Sequence, residues 1–323
     1  MKVKNCRFNS TENFAAWQKE SCRELIDLLG ITNLLNGERC PLNPRSLWKH
    51  ENELGMIEKI AFDSEPGVEN LIYLCIPHGV KPPYRAFICL QGHSTGMHTS
   101  IAVDWHDEIT PLKIEGDRDF AIGCMKRGIP AVCLEQRYMG EHSTDPEHKC
   151  ACYEPAMRAL MRGSTALGER VFDVDRTIDW MASHGDFDMT QIGIMGNSGG
   201  GTTSMFAGAV LPRLTHVMPS CSFSSFADSI CAMYHCSCNY IPHLLEYGES
   251  ADVVGLTAPR PLVIVNGIHD PIFPLSAANA QFERLRTIYA AAGAPENCVH
   301  VLGDGEHRFY AEPAWNAMLK FWK

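Results

Sequence analysis

The sequence predicts an α/β protein built on one mainly parallel central sheet with helices on both faces. Three observations predict it. Short apolar runs bounded by turn residues recur along the chain, as in strands buried on both sides. From about residue 84 they alternate with segments of helical period, the pattern of strand–crossover–strand units. One such run opens directly into the glycine-rich turn Gly196-Asn197-Ser198-Gly199-Gly200-Gly201.

The elements follow in order. Residues 10–30 read as an amphipathic helix with Ser10 or Thr11 as cap. Phe14, Trp17, Leu25, Leu28 and Leu29 share one face, and Gly30 is the stop. Residues 31–54 hold prolines and little periodicity and read as loop. Residues 56–62 and 71–76 alternate as a hairpin-like pair of strands, and 86–90 and 131–134 are short apolar strands. Residues 137–167 show no clear period. Residues 168–183 form a helix, with Val171, Val174, Ile178 and Met181 on one face. A strand at 191–195 leads through the glycine-rich turn into a helix that runs to Ala209. Strands at 215–218, 261–265 and 299–302 follow, with helices at 282–292 and 314–322. Residues 1–54 are expected to be a helical extension packed on a body of residues 55–323, and 222–255 a lid-like insertion.

Composition narrows the function. The chain has 323 residues, 45% hydrophobic and 20% charged, enough for a large core. Its formal net charge of −10, with no basic stripe, disfavours a phosphate backbone, so no nucleic-acid partner is expected. No stretch is long and apolar enough to span a bilayer, and no apolar run follows Met1-Lys2-Val3-Lys4-Asn5-Cys6-Arg7. Those two features give the expectation of a cytoplasmic protein without a membrane partner. The 14 cysteines have no disulfide-framework spacing and read as reduced thiols. Cys75, Cys89 and Cys133 lie in strands and are expected in the core.

The chemistry concentrates at three places. Gly196-Asn197-Ser198-Gly199-Gly200 fits G-x-S-x-G between a strand and a helix. There a sharp turn lifts the serine hydroxyl above the sheet, and small neighbours let strand and helix approach. The free N–H groups of the following helix favour an oxyanion at the same spot. A serine hydroxyl needs a base, and His307, in the loop after the last strand, is the candidate. The base needs an orienting carboxylate. Asp270, after the 261–265 strand, is favoured over Asp228, and Asp304 and Glu306 are too close to His307 in sequence. The order Ser198, Asp270, His307 is one of the known triad orders. Backbone donors for an oxyanion are expected from Gly199 and from His93, with Ser94 second, while the His93 side chain is expected to do no chemistry.

These residues resemble the α/β-hydrolase superfamily, and more narrowly its dienelactone hydrolase and acetyl xylan esterase branch. The resemblance rests on Leu90-Gln91-Gly92-His93-Ser94-Thr95-Gly96, on Gly196-Asn197-Ser198-Gly199-Gly200-Gly201-Thr202-Thr203, and on Ala258-Pro259-Arg260-Pro261 leading to Asp270-Pro271-Ile272-Phe273-Pro274. Many relatives carry His-Gly where this chain has Gln91-Gly92. The resemblance implies a serine esterase acting on small carboxylic esters, acetyl esters first, with no metal or organic cofactor. Its substrate would be a small-molecule ester such as an acetylated sugar. The alternatives are another hydrolase activity of this fold (dienelactone hydrolase-like, thioesterase or peptidase) or a binding protein that has lost catalysis. A homo-oligomer is an open expectation.

Other residues carry weaker signals. Cys231, His235, Cys236 and Cys238, with Cys221 nearby, read as packing or lid thiols. A zinc site or a redox pair are the alternatives, and Cys236-Ser237-Cys238 is a poor chelating spacing. Tyr234, Tyr240 and Met233 are candidates for the pocket wall, as are Trp105 and Met97. Arg137 is expected in a structural ion pair. Phe14 and Trp17 are expected to dock the first helix on the body.

Overall fold

The structure is a computed structural model that describes residues 3–11 and 13–322. Met1 and Lys2, on which the reading of the N-terminus partly rests, lie outside them. Among the described residues nine strands form one sheet: β1 (Arg45–Glu51), β2 (Gly55–Glu65), β3 (Val68–Pro77), β4 (Tyr84–Leu90), β5 (Ala131–Leu134), β6 (Phe187–Asn197), β7 (His216–Ser220), β8 (Leu262–Gly267) and β9 (Cys298–Gly303). Their order is β1-β2-β3-β5-β4-β6-β7-β8-β9. The first three strands and the β3–β5 pair are antiparallel, and every pair from β5 through β4 to β9 is parallel.

Among the described residues ten α-helices accompany the sheet. They are α1 (Phe14–Leu29), α2 (Thr32–Asn36), α3 (Phe120–Met125), α4 (Tyr153–Met161), α5 (Ala166–His184), α6 (Gly199–Val210), α7 (Leu244–Tyr247), α8 (Ser250–Val254), α9 (Leu275–Ala291) and α10 (Ala311–Met318). The two-residue period of the strands divides the core between the two faces. On β3, Ile72, Leu74 and Ile76 join one apolar cluster, and Leu71, Tyr73 and Cys75 join the other. Cys75, Cys89 and Cys133 are fully buried on the second face, as expected of core thiols.

Helix α1 stops at Gly30, whose φ of 71° is a left-handed C-cap. Its N-cap is Asn13, which accepts from the Ala16 amide at 3.0 Å, and not Ser10 or Thr11. Trp17 is buried, donates through Nε1 to the Cys6 carbonyl at 2.8 Å, and meets Phe8 edge-on. The helix packs on α5, α6 and α7.

Three segments differ from expectation. The loop reading of 31–54 overlooks α2 and the edge strand β1, most of whose residues are exposed and so show no apolar alternation. The aperiodic stretch 137–167 contains α4, whose inner face carries only the small residues Ala156 and Ala159. Helix α9 starts at Leu275, not 282, because its first turns bury Ala277, Ala278 and Gln281 rather than bulky apolar groups.

Candidate active site

The candidate residues stand at the C-terminal ends of adjacent parallel strands, where open α/β sheets place their crevices. Strand β6 ends at Asn197, and Ser198 follows with φ 56° and ψ −122°. A non-glycine residue in this conformation is strained. It is held by its amide donating to the Ser220 carbonyl at 2.9 Å and by the start of α6 immediately after it. The flanking glycines permit the turn. A Cβ on Gly196 would lie 2.5 Å from the backbone of Gly200, and one on Gly200 would lie 2.1 Å from the Leu90 carbonyl.

Asp270 and His307 come from the loops after β8 and β9. These loops are laced together, with the Ile268 amide donating to Gly303 at 3.0 Å and the His269 amide to Gly305 at 2.9 Å. His307 Nδ1 lies 2.8 Å from Asp270 Oδ2, and the aspartate side chain is fully buried. The other carboxylate oxygen accepts the amides of Ile272 at 3.0 Å and Phe273 at 3.1 Å. Burial pushes the Asp270 carboxyl up, but the hydrogen bond and charge of His307, with the two amides, outweigh it and hold the group below the usual carboxylate range. Phe273 stacks on the His307 ring with centroids 5.8 Å apart. The competing acids are elsewhere: Asp228, Asp304 and Glu306 are all exposed.

Ser198, Gly199, His93 and His307 line one cavity of about 800 Å³. Neither the Gly199 nor the His93 amide has an acceptor among the hydrogen bonds of the described residues. Gly92 brings the His93 loop against the serine turn, for a Cβ there would lie 2.7 Å from the Asn197 carbonyl and 3.0 Å from Ser198 Cβ. Gln91 turns inward and is buried. Its side-chain Nε2 donates to Ser100 Oγ and to the Arg118 carbonyl, both at 2.7 Å, and its backbone carbonyl accepts from Gln136 Nε2. The residue that departs from the His-Gly pattern is therefore a brace for the loop.

The cavity walls come from α4 (Tyr153, Met157), from the segment between β7 and β8 (Tyr234, His235, Tyr240), and from Arg118, Ile272 and Phe273. Of the expected wall residues, Tyr234 and Tyr240 are present and Met233 is not. Trp105 instead stacks on His106 and His148, and Met97 is buried with its amide donating to Glu135. Arg137 is committed to an ion pair with Asp173 at 2.7 Å and with Glu65 at 2.6 Å. Tyr153, Met157 and Arg118 escaped sequence reasoning, since no motif or period marks them, and buried His235, read from the sequence with the neighbouring cysteines, lines the cavity instead of joining their cluster.

The cysteines separate. Cys231 is exposed. Cys221 sits beside Asp270 and His307, with its thiol donating to the Arg308 carbonyl at 3.1 Å. Burial and the Asp270 charge push that thiol up to about 12, so it stays protonated and is no rival nucleophile. Cys236 and Cys238 meet Cys152 and the side chain of His93, whose Nε2 lies 3.2 Å from Cys238 Sγ.

The family model described as the Abhydrolase family matches residues 3–318, and the chain belongs to that α/β-hydrolase family. The match includes the N-terminal helix. Among individual proteins, the chain is 26% identical over 293 residues to the Bacillus subtilis (strain 168) protein named "Putative hydrolase YtaP", covering 90% of this chain and 93% of that one. Two solved structures share the fold. A Bacteroides fragilis NCTC 9343 protein described as a "putative acetyl xylan esterase" superposes with a TM-score of 0.75 at 17% identity, covering 94% of this chain and 79% of its own. A glucuronoyl esterase from Solibacter usitatus superposes with a TM-score of 0.72 at 13% identity, covering 99% and 97%. No helix among the described residues is long and apolar enough to cross a membrane.

Proposed function

We propose that the protein is a serine esterase that hydrolyses small carboxylic esters, acetyl esters on carbohydrates first, through an acyl-serine intermediate. The observation that carries this reading is the buried Asp270–His307 hydrogen bond opening onto the same cavity as the strained Ser198. In the first half-reaction Ser198 Oγ attacks the ester carbonyl carbon while His307 Nε2 takes its proton. Asp270 keeps the histidine proton on Nδ1 and stabilises the imidazolium. The carbonyl oxygen becomes an oxyanion facing the amides of Gly199 and His93. As the C–O bond breaks, His307 returns the proton to the leaving alcohol. In the second half-reaction His307 deprotonates water, which attacks the acyl carbon; the bond from that carbon to Ser198 Oγ breaks, His307 returns the proton to Oγ, and the carboxylic acid leaves.

The size of the cavity supports an ester with a bulky alcohol, since an acetyl group alone would leave most of about 800 Å³ unfilled. Tyr153, Tyr234 and Tyr240 offer flat apolar faces with polar tips, suited to the face and hydroxyl groups of a sugar ring. The two solved relatives described above carry esterase names for carbohydrate esters, which favours the same substrate class.

The test is a panel of aryl esters, acetylated oligosaccharides and uronate esters, with released acid measured for wild type and Ser198→Ala. Acid release should vanish in the variant, as should covalent labelling by a fluorophosphonate. Equal turnover by both proteins would overturn the mechanism.

A further inference from the structure

His93, Cys152, Cys236 and Cys238 come from three places in the chain, yet their ligand atoms all lie within 4.8 Å of one another. His93 belongs to the loop after β4, Cys152 immediately precedes α4, and the other two lie between β7 and β8. Cys152 and Cys238 are buried, and the cluster meets the cavity through His93, Cys152 and Cys236.

Arg170 is the second observation. Its side chain is almost wholly buried at 1% exposure. Nη1 lies 3.2 Å from Cys238 Sγ and Nη2 lies 3.3 Å from Cys152 Sγ, and its other hydrogen bonds go to the Arg137 carbonyl. The Tyr138 ring lies beside it, 5.9 Å away. No carboxylate hydrogen-bonds to this guanidinium among the described residues. An arginine does not surrender its proton in a protein. Its burial therefore calls for negative charge on the sulfurs it touches.

We infer that these four side chains form a structural site for one zinc ion, a Cys₃His set with Arg170 outside it. The charges balance: three thiolates offset one divalent cation and one guanidinium, with the imidazole neutral. Each cysteine loses its thiol proton to solvent as it binds, and no electrons move. A tetrahedral ion with Zn–S bonds of about 2.3 Å sets sulfurs about 3.8 Å apart. Closing from the observed separation to that spacing takes less than about 1 Å, within the reach of small χ rotations. Four protein ligands close the coordination shell, which is the structural rather than the catalytic arrangement. The zinc would pin the loop that carries the His93 amide to the segment that carries Tyr234 and Tyr240. The site does not depend on the esterase reading.

The spacing within Cys236-Ser237-Cys238 looks poor for chelation because the other ligands are 84 or more residues away. The test keeps the protein reduced, strips metal with a chelator, and titrates the full-length chain with zinc or cobalt(II). One equivalent should bind and raise the melting temperature. Cobalt should give thiolate charge-transfer bands and the visible absorption of a tetrahedral site. Cys152→Ser and Cys236→Ser should each weaken binding by about 100-fold or more, while Cys231→Ser should leave it unchanged. The inference is overturned if reduced wild type binds no zinc at micromolar concentration, if bound cobalt shows no thiolate bands, or if Cys231→Ser weakens binding as much as the cluster variants. Spectra of the wild type decide the matter even where a cluster variant fails to fold.

Discussion

Replacing Asp270 by asparagine separates orientation from mere presence of the histidine. In the structure one oxygen of Asp270 is held by the Ile272 and Phe273 amides and the other faces His307 Nδ1. An asparagine in the same pose must give its carbonyl to the two amides, since an NH₂ there would oppose two donors. Its NH₂ then faces Nδ1 and donates to it. The imidazole proton moves to Nε2, and the ring loses the lone pair needed to take the serine proton. The analogous change in a serine protease triad lowers kcat by about 10⁴, or about 5.5 kcal/mol of barrier, and the same loss is expected here. The fold should lose only about 1–3 kcal/mol, because all three hydrogen-bond positions stay filled. Steady-state kinetics on an aryl acetate, with urea unfolding on the same preparations, checks both halves. Asp228→Asn, at an exposed position, should leave kcat unchanged. The reasoning is refuted if a folded Asp270→Asn protein keeps a tenth or more of wild-type kcat, or if Asp228→Asn produces the large loss instead.

Gly92→Ala places a Cβ 2.7 Å from the Asn197 carbonyl and 3.0 Å from Ser198 Cβ, so the loop carrying the His93 amide must retreat. The loss of one oxyanion donor should cost about 10²-fold or more in kcat, and a kcat within about threefold of wild type would sink that role for the loop. His300 Nε2 donates to Asn266 Oδ1 at 3.0 Å, and burial pushes its pKa down to about 4. The folded chain thus resists a proton that the unfolded chain takes below about 6.5, so this contribution to stability is lost as pH falls through that window. From pH 7.5 to pH 5 the loss is about 2 kcal/mol, and His300→Gln should remove that part of the acid dependence in urea unfolding. An equal acid loss in the variant would refute it. Trp17→Ala deletes a buried ring that touches Phe8 and Phe14, so denaturation should show about 3–5 kcal/mol of lost stability. The kcat of the folded fraction should not change, because α1 reaches no wall of the cavity.

What was legible in the sequence follows from where physics leaves a periodic mark. The C-terminal parts of central strands β4 and β6 are buried on both sides, so residues 86–90 and 192–196 read as unbroken apolar runs between turns. The Ser198 turn was legible because strand and helix can approach there only through glycine. The Asp270–His307 pair was legible from chain order and position after strands. Edge strand β1 was not, because a mostly exposed strand has no apolar alternation to display. Helix α4 was missed because small residues suffice on its buried face. The contact of the His93 side chain with Cys238 also left no mark in the sequence. That side chain's partners lie 59 and more residues away, and nothing local to Gly92-His93-Ser94 marks a ring that reaches a buried thiol.

The same division runs through the site itself. The floor, made by Ser198, Gly199 and His307 with Asp270 behind the histidine, stands at strand ends whose positions the hydrogen-bonded sheet dictates. The walls, made by Tyr153, Met157, Tyr234 and Tyr240, stand on α4 and on the irregular segment between β7 and β8. Those segments have no sheet register to hold them, and Tyr234 is 93% exposed. Fixed walls there need cross-links that secondary structure does not supply. Cys152 stands beside Tyr153, and Cys236 and Cys238 lie between Tyr234 and Tyr240. The thiols that meet His93 and Arg170 are thus placed where two wall segments join the loop after β4. On the proposed function, substrate choice and cluster integrity are coupled through those few residues, while the Asp270–His307 pair, anchored after β8 and β9, stands apart from them.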